Sequence, residues 1–588
     1  MTQLTLDDML ERERIANRRK HWVRAVTACN SKCIFCLDSH TPRNVIIPEE
    51  QVRVEIDRGR RELDADKVIL SGGEASLHPA FANLIRYAKA AGYDRVQTVT
   101  NGYKFAERSF YEECVDAGLG EITFSLHGDT PELHDRLTQT EGAFERLMKG
   151  MIRAVRDGRV IVNVDVVINK QNVAVLDRIV ELCISVGVTE FDLLHVIPEA
   201  AAFENRDELF YDPTEHLPTL HKVFRLNRHP RYVIWTNRFP IAFLEGLEDL
   251  IQDPHKMFDE VNGRRYAIRR YLDTGTPLHC RQQERCVHCF VEPFCTTMDR
   301  VIAAQNEETW DVWWVGRGAH DHVLPFGAHL LGIEIDSFDE LPAVPSYVKV
   351  KDPVPSPGEG AGSLSRTDCV FVADTPQHLE AWLPSDAQIE IHLTRDTAAW
   401  MLEHRDALSG NVRIHQPSYE HMTTAAARDV REPRRFFEQL GVRVRVSGLP
   451  ACLAPGMELH PGLSILRQTM FDADSGRIDI RELARHHITD GYRGKSLRCR
   501  ECSLDAQCDG IPINMIRDQG LRLAQPIAGA KSTQPPLPRL ADGKPPEKTA
   551  ASLPNFPPAP AFTTPDPLQV IADEQRAARA RRRDAERV

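Results

Sequence analysis

HWVRAVTACNSKCIFC, residues 21–36, runs a short apolar stretch directly into three cysteines spaced C-x3-C-x2-C. Residues 22–25 read as a strand, and the cysteines fall in the loop that leaves it. Cys29, Cys33 and Cys36 supply three thiolates, enough to hold three corners of a cubane iron-sulfur cluster and leave one iron open to a substrate. Two other readings share the spacing: a zinc site completed by His40, or three unrelated buried cysteines.

Outward from this loop, short β-branched runs alternate with amphipathic stretches as far as residue 237. Strands are expected at 68–70, 96–100, 122–125, 160–168, 191–196 and 232–236. Apolar residues recur at helical spacing over 80–91 and 174–186, each stretch stopping near a glycine (Gly92, Gly187). Parallel strands need crossover helices, so repeated βα predicts an α/β fold with a parallel sheet curled into a full or partial barrel. Its chemistry belongs at the C-terminal ends of the strands.

Those strand ends carry further motifs. SGGEAS (71–76) follows the strand VIL, TNG (100–102) ends the third strand, SLHG (125–128) ends the fourth, and Phe35 precedes the last cysteine of the loop. In these residues the chain resembles the radical S-adenosylmethionine (radical SAM) superfamily over about residues 22–237. The resemblance implies a [4Fe-4S] cluster on Cys29, Cys33 and Cys36 that reductively cleaves S-adenosylmethionine to a 5′-deoxyadenosyl radical, which abstracts a substrate hydrogen. It places Gly72, Gly73 and Glu74 at the methionine end of the cofactor and Phe35 near the adenine. Read as chemistry, the two glycines let backbone approach a ligand, Glu74 offers an acceptor to an ammonium group, and Ser125 can bond a ribose hydroxyl. Asn163 and Asn169 are weaker candidates. His127 and His195, also at strand ends, read as structural hydrogen-bonders. No acid, base or radical-quenching residue is assigned.

Eleven of the fourteen cysteines fall in three groups, and only Cys114, Cys183 and Cys369 stand apart. Cys280, Cys286, Cys289 and Cys295 form C-x5-C-x2-C-x5-C, four ligands for an auxiliary iron-sulfur cluster or a structural zinc. Beside the core motifs they resemble SPASM or twitch extensions, but Asp299 stands where the SPASM pattern continues with cysteine. Cys499, Cys502 and Cys508 repeat C-x2-C-x5-C, with Pro512 at the equivalent point and Cys452 as the natural fourth ligand. HVIPE (195–199) and HQPSYE (415–420) each precede a helix, a strand, a proline (Pro240, Pro450) and, six residues later, a glycine (Gly246, Gly456). The C-terminal half therefore reads as a degenerate partial copy of the first.

At 588 residues the chain exceeds one core. The expected organisation is an N-terminal helix over 1–20, a barrel over 21–237, a first cysteine-rich extension over 238–340 and a Pro-rich linker over 341–362. A second α/β region over 363–448 follows, then a second cysteine-rich extension over 449–520 and a largely disordered Pro-rich tail over 521–588. Within the second region strands are expected at 370–372, 389–393, 412–415 and 442–446, with helices at 397–408 and 433–440. A net charge of −12 without a basic stretch argues against nucleic acid, and no apolar run can cross a bilayer. The first twenty residues lack a secretory signal and the cysteines cluster as metal ligands do, which predicts a cytoplasmic enzyme. The family resemblance adds an electron donor such as flavodoxin or ferredoxin and a peptide substrate. A small-molecule or cofactor-modifying enzyme, and a non-catalytic iron-sulfur redox sensor or scaffold, are the alternatives.

Overall fold

A computed structural model describes residues 19–307, 310–317, 328–353, 366–408, 410–472 and 475–529. The expected N-terminal helix and nearly all of the Pro-rich tail, including the arginine-rich stretch 568–587 whose sequence suggests a short helix, lie outside the described residues.

Two parallel sheets organise the chain. The first holds β1 (Lys20–Val26), β2 (Lys67–Gly72), β3 (Arg95–Thr100), β4 (Glu121–Ser125), β5 (Ile161–Ile168), β6 (Glu190–His195) and β7 (Val233–Asn237), neighbours in sequence order and all parallel. This is the partial (β/α) barrel expected. Its crossover helices bury a single stripe: Phe81, Leu84, Ile85 and Ala88 in Phe81–Ala90, and Leu176, Ile179, Val180 and Cys183 in Leu176–Val186. Each wholly buried Leu or Ile contributes about 1.5–3 kcal/mol, so packing rather than helix propensity holds these short helices. Gly187 ends the second of them in the left-handed region, φ 106°. Cys114, Cys183 and Cys369 are core residues.

The second sheet is larger than the sequence suggests. It holds β8 (Trp310–Gly316), β9 (Ala328–Ile335), β10 (Ser346–Val350), β11 (Cys369–Ala373), β12 (Gln388–His392), β13 (Val412–His415), β14 (Arg445–Ser447) and β15 (Glu458–Leu459) in sequence order, with β16 (Ile465–Arg467) beside β8. Every pairing is parallel. Three boundaries are thereby corrected. The first extension ends before Trp310, because β8 and β9 belong to this sheet; the linker expected over 341–362 contains β10; and β15 and β16 fall in the stretch assigned to the second extension. Pro342, Pro345 and Pro353 flank β10 without interrupting it, which a strand tolerates. Among the described residues no helix is long and apolar enough to cross a membrane.

Candidate active site

The cysteine loop leaves β1 and is pinned on several sides. Ile34 N and Lys32 N donate to Leu137 O (3.1 Å) and Thr138 O (3.0 Å) at the end of helix Pro131–Thr138. Asn205 Nδ2 donates to Ile34 O at 2.9 Å, and Arg24 grips Asp38 with two bonds of 2.9 and 3.0 Å. Burial is the largest cause raising the Cys29 thiol to about 11, and Cys36 and Glu74 add to it through their charge; burial and the two other thiols raise Cys33 likewise. Ser31 N points at Cys29 Sγ (3.4 Å). Three converging thiols beside an amide donor suit an iron-sulfur cluster. They hold their protons at neutral pH when free, so metal binding must displace them.

The glycine motif packs against this loop. Gly73 N donates to Val26 O (3.0 Å) and Glu74 N to Ala28 O (2.8 Å). A Cβ on Gly72, whose φ is +134°, would meet Val26 O at 2.0 Å, and one on Gly73 would meet Ala28 O at 2.3 Å. The close approach expected towards a ligand is thus made, in this structure, towards the chain entering the cysteine loop.

Glu74 stands at the same corner. Its carboxylate is 2% exposed and accepts from Ser76 N, Ser76 Oγ, Thr100 Oγ1 (2.8 Å) and Asn101 N (2.8 Å). These bonds brace the TNG turn. Asn101 Nδ2 in turn donates to Asn30 Oδ1 (2.8 Å) and Ser31 Oγ (3.1 Å), between the first two cysteines. Cysteine loop, glycine turn and TNG turn form one hydrogen-bonded corner.

Phe35 is buried among Leu133, Leu137, Val196, Ala202 and Leu209, with its ring edge-on to His127 at 4.6 Å. Ser125 Oγ donates to Asp165 Oδ1 at 2.7 Å. Asp165 escaped the sequence reading; a lone carboxylate in the β-branched run IVNVDVVI was the available signal. Burial, then the charge of Asp192, raises its pKa to about 7. Asn163 instead donates to Glu121 near the opposite end of the barrel, where Lys67 also pairs with Glu121 at 2.7 Å. Asn169 shapes the turn to Asn172. His127 accepts from Val167 N and His195 faces Tyr211; burial keeps both neutral.

The cysteine loop, Gly72, Gly73, Glu74, Ser125 and Asp165 open on one cleft of about 5090 Å³, which continues past Asp192, Lys256 and Arg264 to Glu420 and His421. Cys280, Cys286, Cys289 and Cys295 gather beyond Glu199, and Cys280, Cys289 and Cys295 each sense another thiol of the group. Asp299 is no ligand substitute: it accepts from Tyr271 Oη and pairs with Arg281, whose Nη1 donates to Cys295 O at 3.0 Å. Cys452 lies close enough to feel Cys502 and Cys508, and Cys499 feels Cys452. Amides point at Cys508 Sγ (Gly510 N, 3.3 Å) and Cys502 Sγ (Ile527 N, 3.4 Å). Pro512, by contrast, sits in a two-residue strand paired with Arg493–Gly494.

Comparison with known proteins adds a family. Residues 23–183 match the family model of the Radical SAM superfamily. A probable GTP 3′,8-cyclase of Saccharolobus islandicus strain L.S.2.15 is 28% identical over 212 residues, covering 35% of this chain and 68% of that protein. Its counterpart in Saccharolobus solfataricus is 28% identical over 213 residues with the same coverage. Among solved structures, Streptococcus suis SuiB bound to precursor peptide SuiA is similar at a TM-score of 0.33 and 15% identity, over 42% of this chain and 55% of that one. The enzyme anSMEcpe with bound AdoMet and Cp18Cys peptide is similar at 0.31 and 15%, over 37% and 62%. The chain therefore spans less than two thirds of the length of these solved proteins. The family match starts in the strand that feeds the cysteine loop and ends in the helix after β5, so the first sheet carries a radical SAM domain, an enzyme domain that works with a [4Fe-4S] cluster and S-adenosylmethionine.

Proposed function

We propose that this enzyme modifies a polypeptide segment bound along the cleft, with Cys29, Cys33 and Cys36 holding the catalytic cluster. The size of the cleft carries this reading: small-molecule pockets occupy about 300–1,000 Å³, several times less than the 5090 Å³ here. When bound, the cluster and S-adenosylmethionine supply an electron from a donor such as flavodoxin or ferredoxin and a 5′-deoxyadenosyl radical that takes a substrate hydrogen. The chain's own residues position and shield. The Glu74 brace fixes the corner where the cofactor binds, Phe35 excludes water on the adenine side, and Ser125 offers a hydroxyl beside Asp165, whose proton is exchangeable near neutral pH.

We read the two outer cysteine groups as auxiliary iron-sulfur sites, with structural zinc as the alternative, and the amides aimed at Cys502 and Cys508 suit metal-bound thiolates in the second group. Anaerobic reconstitution should give about twelve irons per chain if all three groups hold cubanes. About four irons with two zincs would make both extensions structural.

A small-molecule substrate is the second reading, favoured by the relatives named as GTP 3′,8-cyclases. Their similarity covers about a third of this chain, leaving the extensions and second sheet unaccounted for. Incubation with S-adenosylmethionine, dithionite and either GTP or a peptide encoded beside the gene separates the two. Peptide-dependent mass change supports the first reading; a GTP-derived product with no peptide change replaces it with the second.

A further inference from the structure

A second cluster of candidate metal-binding side chains lines the cleft and includes none of the eleven grouped cysteines. His255 belongs to the 3-10 turn Pro254–Lys256, which Asp253 caps by accepting from His255 N at 2.9 Å. Glu420 and His421 come from the connection between β13 and helix Met422–Arg428. These residues are 165 positions apart in sequence, yet one ligand atom from each of His255, Glu420 and His421 lies within 4.8 Å of the others. His255 Nε2 is 3.2 Å from Glu420 Oε1, and the two imidazoles stack with centroids 5.1 Å apart. All three line the cleft.

We propose that His255, Glu420 and His421 bind one zinc-class divalent ion, leaving a coordination position open to the cleft. Two imidazoles and a carboxylate are ligand types that zinc prefers, and three protein ligands are the number used where a site keeps an exchangeable position. The support behind His255 points the same way. Its Nδ1 lies 2.8 Å from Asp253 Oδ1, and Asp253, with 6% of its side chain exposed, is clamped by Arg517 at 3.2 Å. A buried carboxylate on one ring nitrogen makes that nitrogen the donor and turns the other's lone pair towards the metal. Here the other nitrogen faces Glu420.

The competing account needs no metal. In it His255 is an imidazolium bridging Asp253 and Glu420, Glu420 also pairs with Arg485 at 3.3 Å, and Arg485 is shared with Glu482. That network would join the first extension to the second sheet and leaves His421 only its stacking on His255. A metal would make the same join and use all three side chains. The duplicated position gives a parallel: Glu199, which the motif comparison sets against Glu420, lies 3.7 Å from His279 and 3.6 Å from Arg264 of the first extension.

The test uses the full chain with its iron sites loaded anaerobically, stripped of loose metal with a chelator and titrated with zinc sulfate. X-ray absorption at the zinc edge should show one zinc per chain with nitrogen and oxygen neighbours at about 2.0–2.1 Å and no sulfur shell at about 2.3 Å. His421→Gln, at an exposed position, and Glu420→Gln should each weaken that zinc more than tenfold with iron content unchanged. Asp253→Asn should weaken it about ten- to hundredfold through the loss of orientation alone. No bound zinc, zinc bound only through sulfur, or equal binding by wild type and His421→Gln would each overturn the proposal and leave the imidazolium bridge.

Discussion

The two sheets are built to one plan and differ in what stands at their rims. In both, seven successive parallel strands run in sequence order, and the first pair has a register irregularity near the end of its first strand, at Arg24/Val26 and at Trp314/Gly316. In both, the seventh strand leads to a left-handed residue, a proline, a 3-10 turn and a left-handed glycine. Arg238 has φ 59° and Gly448 φ 80°, while Gly246 has φ 79° and Gly456 φ 75°. The motifs aligned by sequence thus occupy the sixth and seventh strands of each sheet, with residues added between β6 and β7 in a connection that tolerates them. At the rims the sheets part. After β1 the chain carries three cysteines and after β2 Gly73 and Glu74; the sequence after β8 has no cysteine, and β9 is followed by Asp336 and Ser337. Inside the second sheet Glu390 is bound by Tyr347, Arg413 (2.8 Å) and His392. Strand order is shared while the rim motifs are not, because the sheet is held by its packed core and the motifs sit in loops.

The sharpest way to break this contrast is to disturb a similarly close backbone contact in each sheet. Gly73→Ala would drive a Cβ to 2.3 Å from Ala28 O and shift the cysteine corner, and S-adenosylmethionine cleavage should fall more than about a hundredfold. Gly448→Ala makes the same 2.3 Å clash with Gln416 O, and should lower the urea midpoint while folded protein cleaves normally. Equal losses of cleavage in the two variants would mean that the second sheet shares in the chemistry.

Buried glutamates give the next contrast. Glu74→Ala leaves Thr100 Oγ1, Asn101 N and Ser76 without their acceptor, costing about 1–3 kcal/mol in denaturant titrations and weakening cofactor binding. Glu390→Ala strands Arg413 inside the second sheet and should cost about 3–5 kcal/mol with no change in cofactor affinity.

A smaller effect depends on pH. Asp165 has a folded pKa of about 7, above the usual carboxylate range, so the unfavourable buried charge is absent below about pH 4, grows through the window, and is full above about pH 7. Wild type should therefore lose urea resistance relative to Asp165→Asn as pH rises from 4 to 8. A constant difference across that range would place the titration elsewhere. The smallest effect sharpens the duplication itself: Gly246→Ala and Gly456→Ala both face open space in the left-handed region, and each should cost about 1–2 kcal/mol, alike within a few tenths.

The first sheet was legible because its strands are β-branched runs bounded by charged or glycine-ended helices, and observed boundaries fall within about two residues of the expected ones. The second sheet's opening was hidden. WDVWWVG lacks alternation, AHLLGIEI carries a central glycine, and SYVKV sits among prolines that read as linker. The cysteine groups could be found by spacing alone. Contacts could not: the bracing of the TNG turn by Glu74 is seen only in the fold, Asp299 reads as a missing cysteine but anchors Tyr271 and Arg281, and Asp165 is invisible within an apolar strand until its partner Ser125 is seen across the sheet. The meeting of His255 with Glu420 and His421 depends on packing between elements that local sequence does not encode.

The central claim is that radical chemistry belongs to the first sheet alone. Its most direct test is 5′-deoxyadenosine formation, with iron counted in the same samples, in Cys29→Ala/Cys33→Ala/Cys36→Ala and in Cys499→Ala/Cys502→Ala/Cys508→Ala. The first variant should form none while losing about four of twelve irons, and the second should lose the same amount of iron yet still form 5′-deoxyadenosine. Cleavage that survives in the first variant, or vanishes only in the second, would contradict the account.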